Sequence, residues 1–426
     1  MTIFRGTFID IPENPFTGGV LRVDSDAGLL VEDGVIVARG PFLDIRRAHP
    51  AEPVVDLSGG VVLPGFVDSH VHFPQIRAVG GLGLPLLEWL DKYALPEEAR
   101  MADAQYAAGV AREFVRGLAA AGTTSALVFG AHYSDAMDAL FGAASEVGLR
   151  ITSGLVLSDR LLRPDLLTTP VRAYAESLAL ANRWHGTGRN RYAVTPRFSL
   201  SCTDELLATC GELMDAIPGA LFTSHVNENK AEIATVADLF GGSDYVTTYE
   251  RHGLVDRRTV LAHNVHPTDV ELKLLGVNGA SVAHCPTSNA ALGSGLFPLH
   301  RHLQYGVRVA LGSDVGAGAG FSLLKEGLQA YFCQQLLADQ GRPLTGTHLL
   351  YLATTAGAEA LNLPHVGHLS PGQAFDAQLI RPAEDSPLAI GINHAEDYEE
   401  AVARIFTLGT TTDVQAVWIN GELLTP

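Results

Sequence analysis

Two histidines close an apolar stretch at a spacing that could bring both imidazoles to one metal ion. His70 and His72 end the run VVLPGFVDSHVH. Side chains at positions i and i+2 of a strand point to the same face, so both rings would face one site. Such a pair supplies half of the ligands of a zinc site. Taken alone, the pair also fits two polar residues at the mouth of a loop.

Three further side chains of metal-binding type close other apolar runs. His225 ends ALFTSHV, His263 ends VLAH and Asp314 ends VRVALGSD. If these runs are strands of one parallel barrel, all of their C-terminal ends meet at one rim, where barrel enzymes gather their catalytic groups. Neutral imidazole and carboxylate ligands suit zinc, while Fe(II) and Mn(II) remain open on ligand type.

A carboxylate follows the third of these histidines by three residues. Glu228 stands in SHVNEN, directly after the strand predicted to end near His225. A carboxylate beside a metal-activated water can carry protons between water and substrate. The alternative is a solvated loop acid or a helix-capping acid. The neighbouring histidine favours catalysis, and we predict that Glu228 is a catalytic residue.

The elements that would position these residues alternate along the chain. From about residue 61, eight strand-like runs alternate with helix-like segments, which predicts an α/β protein built on a (β/α)8 TIM-type barrel. The predicted strands are 61–70, 123–130, 150–157, 191–198, 220–226, 259–264, 280–285 and 307–314. The clearest predicted helices are 102–121, 135–147, 171–184, 204–215, 230–240 and 267–276.

Both ends of the chain have a different pattern. The first sixty residues have the pattern of short strands with tight turns: TIFRGTFIDI alternates at period two, and GLLVEDGVIVARG is a hairpin signal. Short strands return after residue 369 in FDAQLI and QAVWINGEL. We therefore predict a small β-sandwich domain formed by residues 1–63 and 369–426, with the barrel spanning 64–368. Residues 80–100 form a long insertion after the first barrel strand, which is the usual place for a lid.

The composition of the chain excludes several classes of binding partner. The 426-residue chain has 29 Lys and Arg against 47 Asp and Glu, a formal net charge of −18. Such a surface repels phosphate backbones and anionic lipids, so we expect neither a nucleic-acid nor a membrane partner, and a small substrate of low charge. The four cysteines are irregularly spaced, and the sequence shows no leader-like segment and no apolar run of membrane length. The expected location is the cytoplasm.

Several sequence blocks resemble a known family. PGFVDSHVHFPQ and the later SDV are similar to the metal-dependent amidohydrolase superfamily, as are ATTAGAEALNL and LSPGQAFDAQLI. The closer resemblance is to the guanine deaminase family, whose blocks occur here in the same order between residue 61 and beyond 370. These blocks are LPLLEWLDKYALP, VTPRFSLSC, TSHVNEN, VLAHNVH, ASVAHCPTSN and LGSDVGAG.

This resemblance implies roles for individual residues. It implies a homodimer in which each subunit uses one Zn²⁺, or Fe²⁺, to deaminate guanine to xanthine and ammonia by attack at C2. The implied metal ligands are His70, His72, His225 and Asp314. The implied catalytic residues are Glu228 as proton shuttle, His263 as the group that holds the attacking hydroxide, and Asp314. The implied substrate-binding residues are Gln75, Trp89, Arg197, Phe198, His225, Glu228, His263 and Asp314.

Two of these assignments have structural alternatives. Arg197 offers a fork of donors that suits a carbonyl oxygen, but it could instead form a salt bridge at the barrel rim. Phe198 follows Arg197, so in a continuing strand it would point to the opposite face and pack in the core. It reaches a substrate only if the backbone turns at that point.

Three functional alternatives have to be weighed. A deaminase or chlorohydrolase acting on another purine, a pterin or a triazine would keep the same metal ligands, and Gln75, Arg197 and LLEWLDKY favour guanine. A binuclear amidohydrolase, such as a dihydroorotase or hydantoinase, would carry a modified lysine on the fourth strand. None of the four lysines lies in that strand, YAVTPRF. A non-catalytic scaffold would have lost metal ligands, and this chain retains all of them.

Overall fold

A computed structural model describes residues 1–424, and its strands form two sheets. The strands are β1 Thr2–Asp10, β2 Arg22–Glu32, β3 Val35–Pro41, β4 Val54–Pro64, β5 Phe66–His72, β6 Thr123–Phe129, β7 Arg150–Gly154, β8 Val156–Leu157, β9 Arg191–Pro196, β10 Leu221–Val226, β11 Thr259–His263, β12 Ser281–His284, β13 Arg308–Leu311, β14 Ala377–Ile380, β15 Val414–Ile419 and β16 Glu422–Leu423.

Helices lie between many of these strands along the chain. They are α1 Phe42–Ala48, α2 Leu86–Trp89, α3 Leu95–Arg100, α4 Ala104–Ala120, α5 Ser134–Val147, α6 Pro170–Trp184, α7 Asp204–Ala216, α8 Lys230–Leu239, α9 Tyr245–Glu250, α10 Asp269–Val277, α11 Pro286–Ala291, α12 Leu299–Gln304, α13 Leu323–Leu336, α14 Gly346–Ala353, α15 Thr355–Ala360, α16 Pro387–Asn393 and α17 Tyr398–Leu408. A π-helix, Leu90–Ala94, joins α2 to α3.

Eight parallel strands form a nearly closed barrel, in the order β5, β6, β7, β9, β10, β11, β12, β13, with β8 as a short extension beside β9. Where β13 meets β5, Ser69 Oγ donates to the Leu311 carbonyl (2.7 Å). A side chain at Gly312 would come within 3.0 Å of His70, so glycine permits this close approach. The predicted (β/α)8 barrel is confirmed.

Both ends of the chain contribute to the second sheet. Its order is β16-β15-β14-β4-β1-β2-β3, with β4 in the middle pairing with β1 from the N-terminal side and with β14 from the C-terminal side. One face buries an aromatic cluster in which Phe4 and Phe375 have ring centroids 4.2 Å apart and Trp418 lies against both. The two ends therefore share one hydrophobic core, which ties them together.

The segment after residue 369 also contains two helices that its sequence pattern did not predict. They are α16 and α17, and α17 begins at its N-cap Asp397, whose side chain accepts from the Glu400 amide. Ile405 and Phe406 of α17 are buried, with Phe406 beside Phe66 of the first barrel strand. Packing of this apolar face on the barrel explains a helix within a segment that otherwise forms strands. No helix among residues 1–424 has both the length and the apolarity needed to cross a membrane.

A buried ionic network joins the N-terminal strands to the point where the chain leaves the barrel. Asp10 is fully buried and accepts from Arg22 and from Arg39 Nη1 (3.0 Å), as well as from the Leu369 amide (2.7 Å). Arg22 also donates to Ser370 Oγ (2.9 Å). Burial alone would raise the pKa of Asp10, but the two arginines outweigh it and hold that pKa below its usual value.

Replacing Asp10 with asparagine is expected to lower the free energy of unfolding at pH 7 by about 3 kcal/mol, because two arginines lose a buried partner. Since folding lowers the pKa of Asp10, its stabilisation is complete above the unfolded value of about 3.9 and is lost as pH falls through the folded value. The difference between Asp10→Asn and the unmodified chain should therefore shrink below about pH 4.

Urea unfolding between pH 7 and pH 3 measures this difference. Asp24→Asn is the matched control, because Asp24 pairs with the same Arg39 but has a side chain that is 40% exposed. Its cost should stay below about 1 kcal/mol. Equal costs for the two variants would show that burial of Asp10 does not matter.

Candidate active site

Three histidines and one aspartate meet at the C-terminal rim of the barrel. His70 and His72 close β5, His225 lies at the end of β10, and Asp314 follows β13. Nε2 of His72 lies 3.2 Å from Nε2 of His225, and Asp314 Oδ1 lies 3.3 Å from Nε2 of both His70 and His72. All four residues are buried. The structure thus brings together the side chains that the sequence predicted to be metal ligands.

The spacing of these atoms fits a single small cation. Bonds of about 2.0–2.1 Å to a tetrahedral zinc would place neighbouring ligand atoms about 3.3 Å apart, which matches the distances from His72 to His225 and from His72 to Asp314. Nε2 of His70 is buried and has no hydrogen-bond partner among residues 1–424. A ring nitrogen aimed into the cluster in this way is suited to bind a metal ion.

The histidines are held in the protonation state that a metal requires. Burial lowers the pKa of His72 to about 4 and that of His225 well below its usual value, so both rings are neutral at pH 7. Nδ1 of His225 donates to the Arg197 carbonyl (2.6 Å), which leaves Nε2 with its lone pair toward the cluster.

Asp314 supplies the negative charge of the cluster. Burial would raise its pKa, but contacts with His70 and His72 hold the pKa well below its usual value, so the carboxylate is ionised. The backbone of Asp314 is left-handed (φ 47°), as is that of His263 (φ 74°). Such conformations are costly for residues other than glycine and concentrate at functional sites.

Glu228 and His263 complete the polar wall beside the cluster. Glu228 Oε2 lies 3.6 Å from His263 Nε2, and its Oε1 accepts from Ser294 Oγ (3.3 Å). Burial, together with the charge of Asp314, raises the pKa of Glu228 to about 8. His263 is oriented through its other nitrogen, since Nδ1 lies 3.0 Å from Asn289 Oδ1.

A pocket opens directly beside these groups. The lining residues are His72, Gln75, Leu86, Trp89, Leu90, Arg197, Phe198, His225, Glu228, His263, Leu292, Asp314 and Ala317. The insertion of residues 80–100 supplies Leu86, Trp89 and Leu90, so part of this segment covers the barrel mouth.

The strand ends before Arg197 and Phe198. Strand β9 ends at Pro196, and Phe198 has extended dihedrals (φ −174°, ψ 161°) as it leads into a 3-10 helix, Ser199–Ser201. Both side chains consequently face the pocket, and the ring of Phe198 lies edge-on to His225 with centroids 6.2 Å apart. The alternation expected of a continuing strand fails here because the strand stops.

Sequence reasoning missed a buried carboxylate behind the pocket. Glu98 of α3 accepts from Gln75 Nε2 (2.7 Å) and accepts with both oxygens from Arg197 Nη1 (2.7 and 2.5 Å). Nε2 of His132 lies 3.2 Å from its Oε2. The salt bridge considered for Arg197 therefore exists, and it coexists with a place in the pocket wall. The LLEWLDKY block ends at Tyr93, and nothing in the sequence after it marks Glu98 as a functional residue.

The fold and this site define a barrel hydrolase with a histidine-rich centre suited to a metal ion, and comparison with known proteins agrees. The amidohydrolase family model matches residues 61–424. The chain belongs to the amidohydrolase family.

Relatives that match this chain over its full length indicate which group within the amidohydrolase family it belongs to. The chain is 56% identical to a probable guanine deaminase of Deinococcus radiodurans, over 100% of this chain and 98% of that protein. It is 36% identical to the solved guanine deaminase of E. coli, with a TM-score of 0.96 over 100% and 99% of the two chains. A guanine deaminase from C. acetobutylicum, solved with bound guanine, is 27% identical with a TM-score of 0.92 over the full length of both chains. Within its family, the chain belongs to the guanine deaminases.

Proposed function

We propose that this protein hydrolyses guanine to xanthine and ammonia with one zinc ion per subunit. The observation that carries the proposal is the pairing, in one pocket, of a cluster of three histidines and an aspartate with the polar groups of Gln75 and Arg197. The first set is suited to activate water, and the second to bind the edge of a purine. The names of the full-length relatives support the same activity.

The pocket wall matches the oxygen-bearing edge of guanine. That edge presents the carbonyl oxygen O6 as an acceptor and N1–H as a donor. Arg197 Nη1 is engaged by Glu98, and the remaining guanidinium donors line the pocket and can donate to O6. Gln75 donates its Nε2 to Glu98, so its Oε1 is left to accept from N1–H. C2, which bears the amine, is bonded to N1 and thus lies next to the bound edge.

Aromatic side chains of the lining can pack against the ring. Phe198 is buried beside His225, and the buried Trp89 of the insertion also lines the pocket. Aromatic side chains bury a planar base with little loss of their own freedom and exclude water around it. We assign Phe198 and Trp89 to this packing role.

The metal ligands in this proposal are His70, His72, His225 and Asp314. A zinc ion held by these ligands would lower the pKa of water from 15.7 to about 7 and would so supply the nucleophile at neutral pH. Fe²⁺ has compatible ligand preferences and is the second candidate. The absence of lysine from YAVTPRF supports one metal rather than two.

Glu228 moves the protons. Its carboxylate takes a proton from the attacking water and gives it to ring N3. It then takes the proton of the hydroxyl group added at C2 and delivers it to the departing amine, as the C2–N bond breaks and the C2 carbonyl forms. A pKa of about 8 in the buried site favours a group that can hold a proton at neutral pH as well as release it. Ser294 restrains Oε1, so Oε2 is the oxygen that faces His263.

His263 holds the attacking oxygen through Nε2, which faces both Glu228 and Asp314. Asn289 keeps the ring in this orientation. As negative charge develops on that oxygen, a positioned donor at this point lowers the barrier. Loss of the amine as ammonia then leaves xanthine.

One assay tests the proposal. The purified chain is incubated with guanine, and xanthine, ammonia and bound metal are measured on the same sample. We expect xanthine and ammonia in equal amounts and one zinc per chain. A panel containing another purine, a pterin and a triazine separates the alternatives, since faster turnover of one of these would reject guanine as the substrate.

The homodimer and the cytoplasmic location remain predictions, and sedimentation of the purified chain tests the first.

Arg197→Ala is expected to lower kcat/KM for guanine by about 100-fold or more while zinc content stays the same. The side chain binds substrate in this proposal, whereas the contact with His225 uses the backbone carbonyl of Arg197, which the substitution retains. Arg191→Ala is the matched control, because Arg191 begins the same strand at the other end of the barrel. Unchanged kinetics in Arg197→Ala would remove its substrate role.

A further inference from the structure

Four polar side chains that come from different parts of the chain converge behind the pocket. Glu98 lies in α3, while Gln75, His132 and Arg197 follow the strands β5, β6 and β9. All four side chains are buried, with Glu98 only 2% exposed, and Glu98 does not line the pocket itself. Burying a carboxylate costs free energy unless its oxygens accept hydrogen bonds, and both oxygens of Glu98 do so here.

The hydrogen bond from Gln75 to the Glu98 carboxylate fixes which end of the Gln75 amide is turned toward the pocket. A glutamine side chain ends in one acceptor and one donor that can exchange places by rotation. Glu98 Oε1 accepts from Gln75 Nε2, so the amide is turned with its donor away from the pocket. Among residues 1–424, Gln75 Oε1 receives no hydrogen bond, and it lies beside Gly316, where a side chain would collide with it. The acceptor is left available for a ligand.

The same carboxylate orients Arg197. Nη1 is held by both oxygens of Glu98, which leaves the other donors of the guanidinium for the pocket. The wall thus presents an acceptor from Gln75 and a donor from Arg197. The charges of Glu98 and Arg197 compensate each other, so the wall as a whole suits a neutral base.

We propose that Glu98 is a positioning residue that sets the donor and acceptor order of this wall and so makes the site select an oxo-purine edge over an amino-purine edge. The inference rests on the proposed function. An oxo edge offers O6 and N1–H, which complement the wall. An amino edge offers an NH₂ donor at C6 and an acceptor at N1, which puts donor against donor and acceptor against acceptor.

Glu98→Gln tests this selection with two bases that both carry an amine at C2. Guanine has the oxo edge, and 2,6-diaminopurine has the amino edge. The measurements are kcat and KM for guanine and the inhibition constant of 2,6-diaminopurine. The preference is the ratio of the inhibition constant of 2,6-diaminopurine to the KM of guanine. We expect this ratio to be about 1000 or more in the unmodified enzyme, because a site built to hydrogen-bond one edge leaves its polar groups unpaired with the other. In Glu98→Gln this preference should fall at least about tenfold, with KM rising more than kcat falls, because the Gln75 amide becomes free to rotate.

Three comparisons make the result decisive. Glu97→Gln changes the adjacent acid, which bonds to Arg100 and Tyr106 at the surface, and should leave the preference unchanged. In a Gln75→Ala background, Glu98→Gln should change the preference less than it does in the unmodified enzyme, because only the contact with Arg197 then remains, and a purely structural role would not predict this difference. Zinc content and thermal unfolding report whether each variant folds. If Glu98→Gln does not fold, Glu98→Asp, which retains the charge but shortens the reach, is judged by the same criterion.

A preference within twofold of the unmodified enzyme in a folded Glu98→Gln holoenzyme would overturn the inference. Failure of the unmodified enzyme to form xanthine from guanine would overturn the proposed function instead. The two failures are therefore distinguishable in one experiment.

Discussion

Glu228→Gln is expected to retain zinc and fold normally while losing at least about 100-fold in kcat for guanine, since proton transfer by a positioned group contributes about 100- to 10,000-fold. The amide has nearly the size of the carboxylate and can still contact Ser294, but it cannot take or release a proton at neutral pH. Xanthine formation under saturating guanine measures kcat, and metal analysis of the same preparation measures zinc.

The control for this variant must also replace a buried glutamate. Glu271 is buried at the start of α10, where its side chain accepts from the Thr268 and Val246 amides, and it lies outside the pocket lining. Glu271→Gln should keep its turnover number even if it unfolds more easily. Near-normal turnover in Glu228→Gln would reject the proton shuttle, and loss of zinc in that variant would indicate a ligand role instead.

Two buried glutamates near the pocket have opposite environments, and this difference separates their tasks. Glu228 faces Asp314 and has its pKa raised to about 8 by burial and by that charge. Burial also acts on Glu98, but Arg197 and His132 outweigh it and hold the pKa of Glu98 well below its usual value. A group that exchanges protons needs the first environment, and a permanently charged anchor needs the second.

The barrel and the metal cluster could be predicted from the sequence because each depends on local patterns. Apolar runs mark the ends of the strands, and the residues directly after those ends necessarily meet at the rim of a parallel barrel. This reasoning alone places His70, His72, His225, His263 and Asp314. Even there the detail differs, because β13 ends at Leu311 and Asp314 reaches the cluster through a left-handed turn.

The position of Glu98 behind the pocket could not be predicted, because no local sequence pattern marks this residue. Glu98 lies on a helix of the insertion, and its partners Gln75, His132 and Arg197 follow three separate strands. Only the packing of the insertion over the barrel mouth brings them into contact. The sequence provides no partner for His132, and it leaves open whether Arg197 forms a salt bridge or binds a substrate, whereas the structure allows both.

The orientation of Phe198 illustrates a different limit. Period-two alternation is valid while a strand continues, and it would turn Phe198 away from Arg197. The strand ends at Pro196, and beyond that point both side chains line the pocket. Where a strand stops is decided by its neighbours in the sheet, and the predicted end at residue 198 lies two residues beyond the observed end, so the alternation rule does not apply to Phe198.

Removal of the metal is expected to abolish xanthine formation and to lower the thermal unfolding midpoint by several degrees without unfolding the chain at 25 °C, because a bound ion stabilises the native state by mass action. The cluster lies on the rim, and the hydrophobic core that holds the barrel does not depend on it.

One equivalent of Zn²⁺ per chain should restore activity, and Fe²⁺ should restore it to a measurable level. Mg²⁺ serves as the control, since it prefers oxygen ligands and should not bind a site dominated by imidazole nitrogens. Chelated protein that keeps full turnover would exclude metal activation of water, and recovery only at two equivalents would favour a binuclear centre.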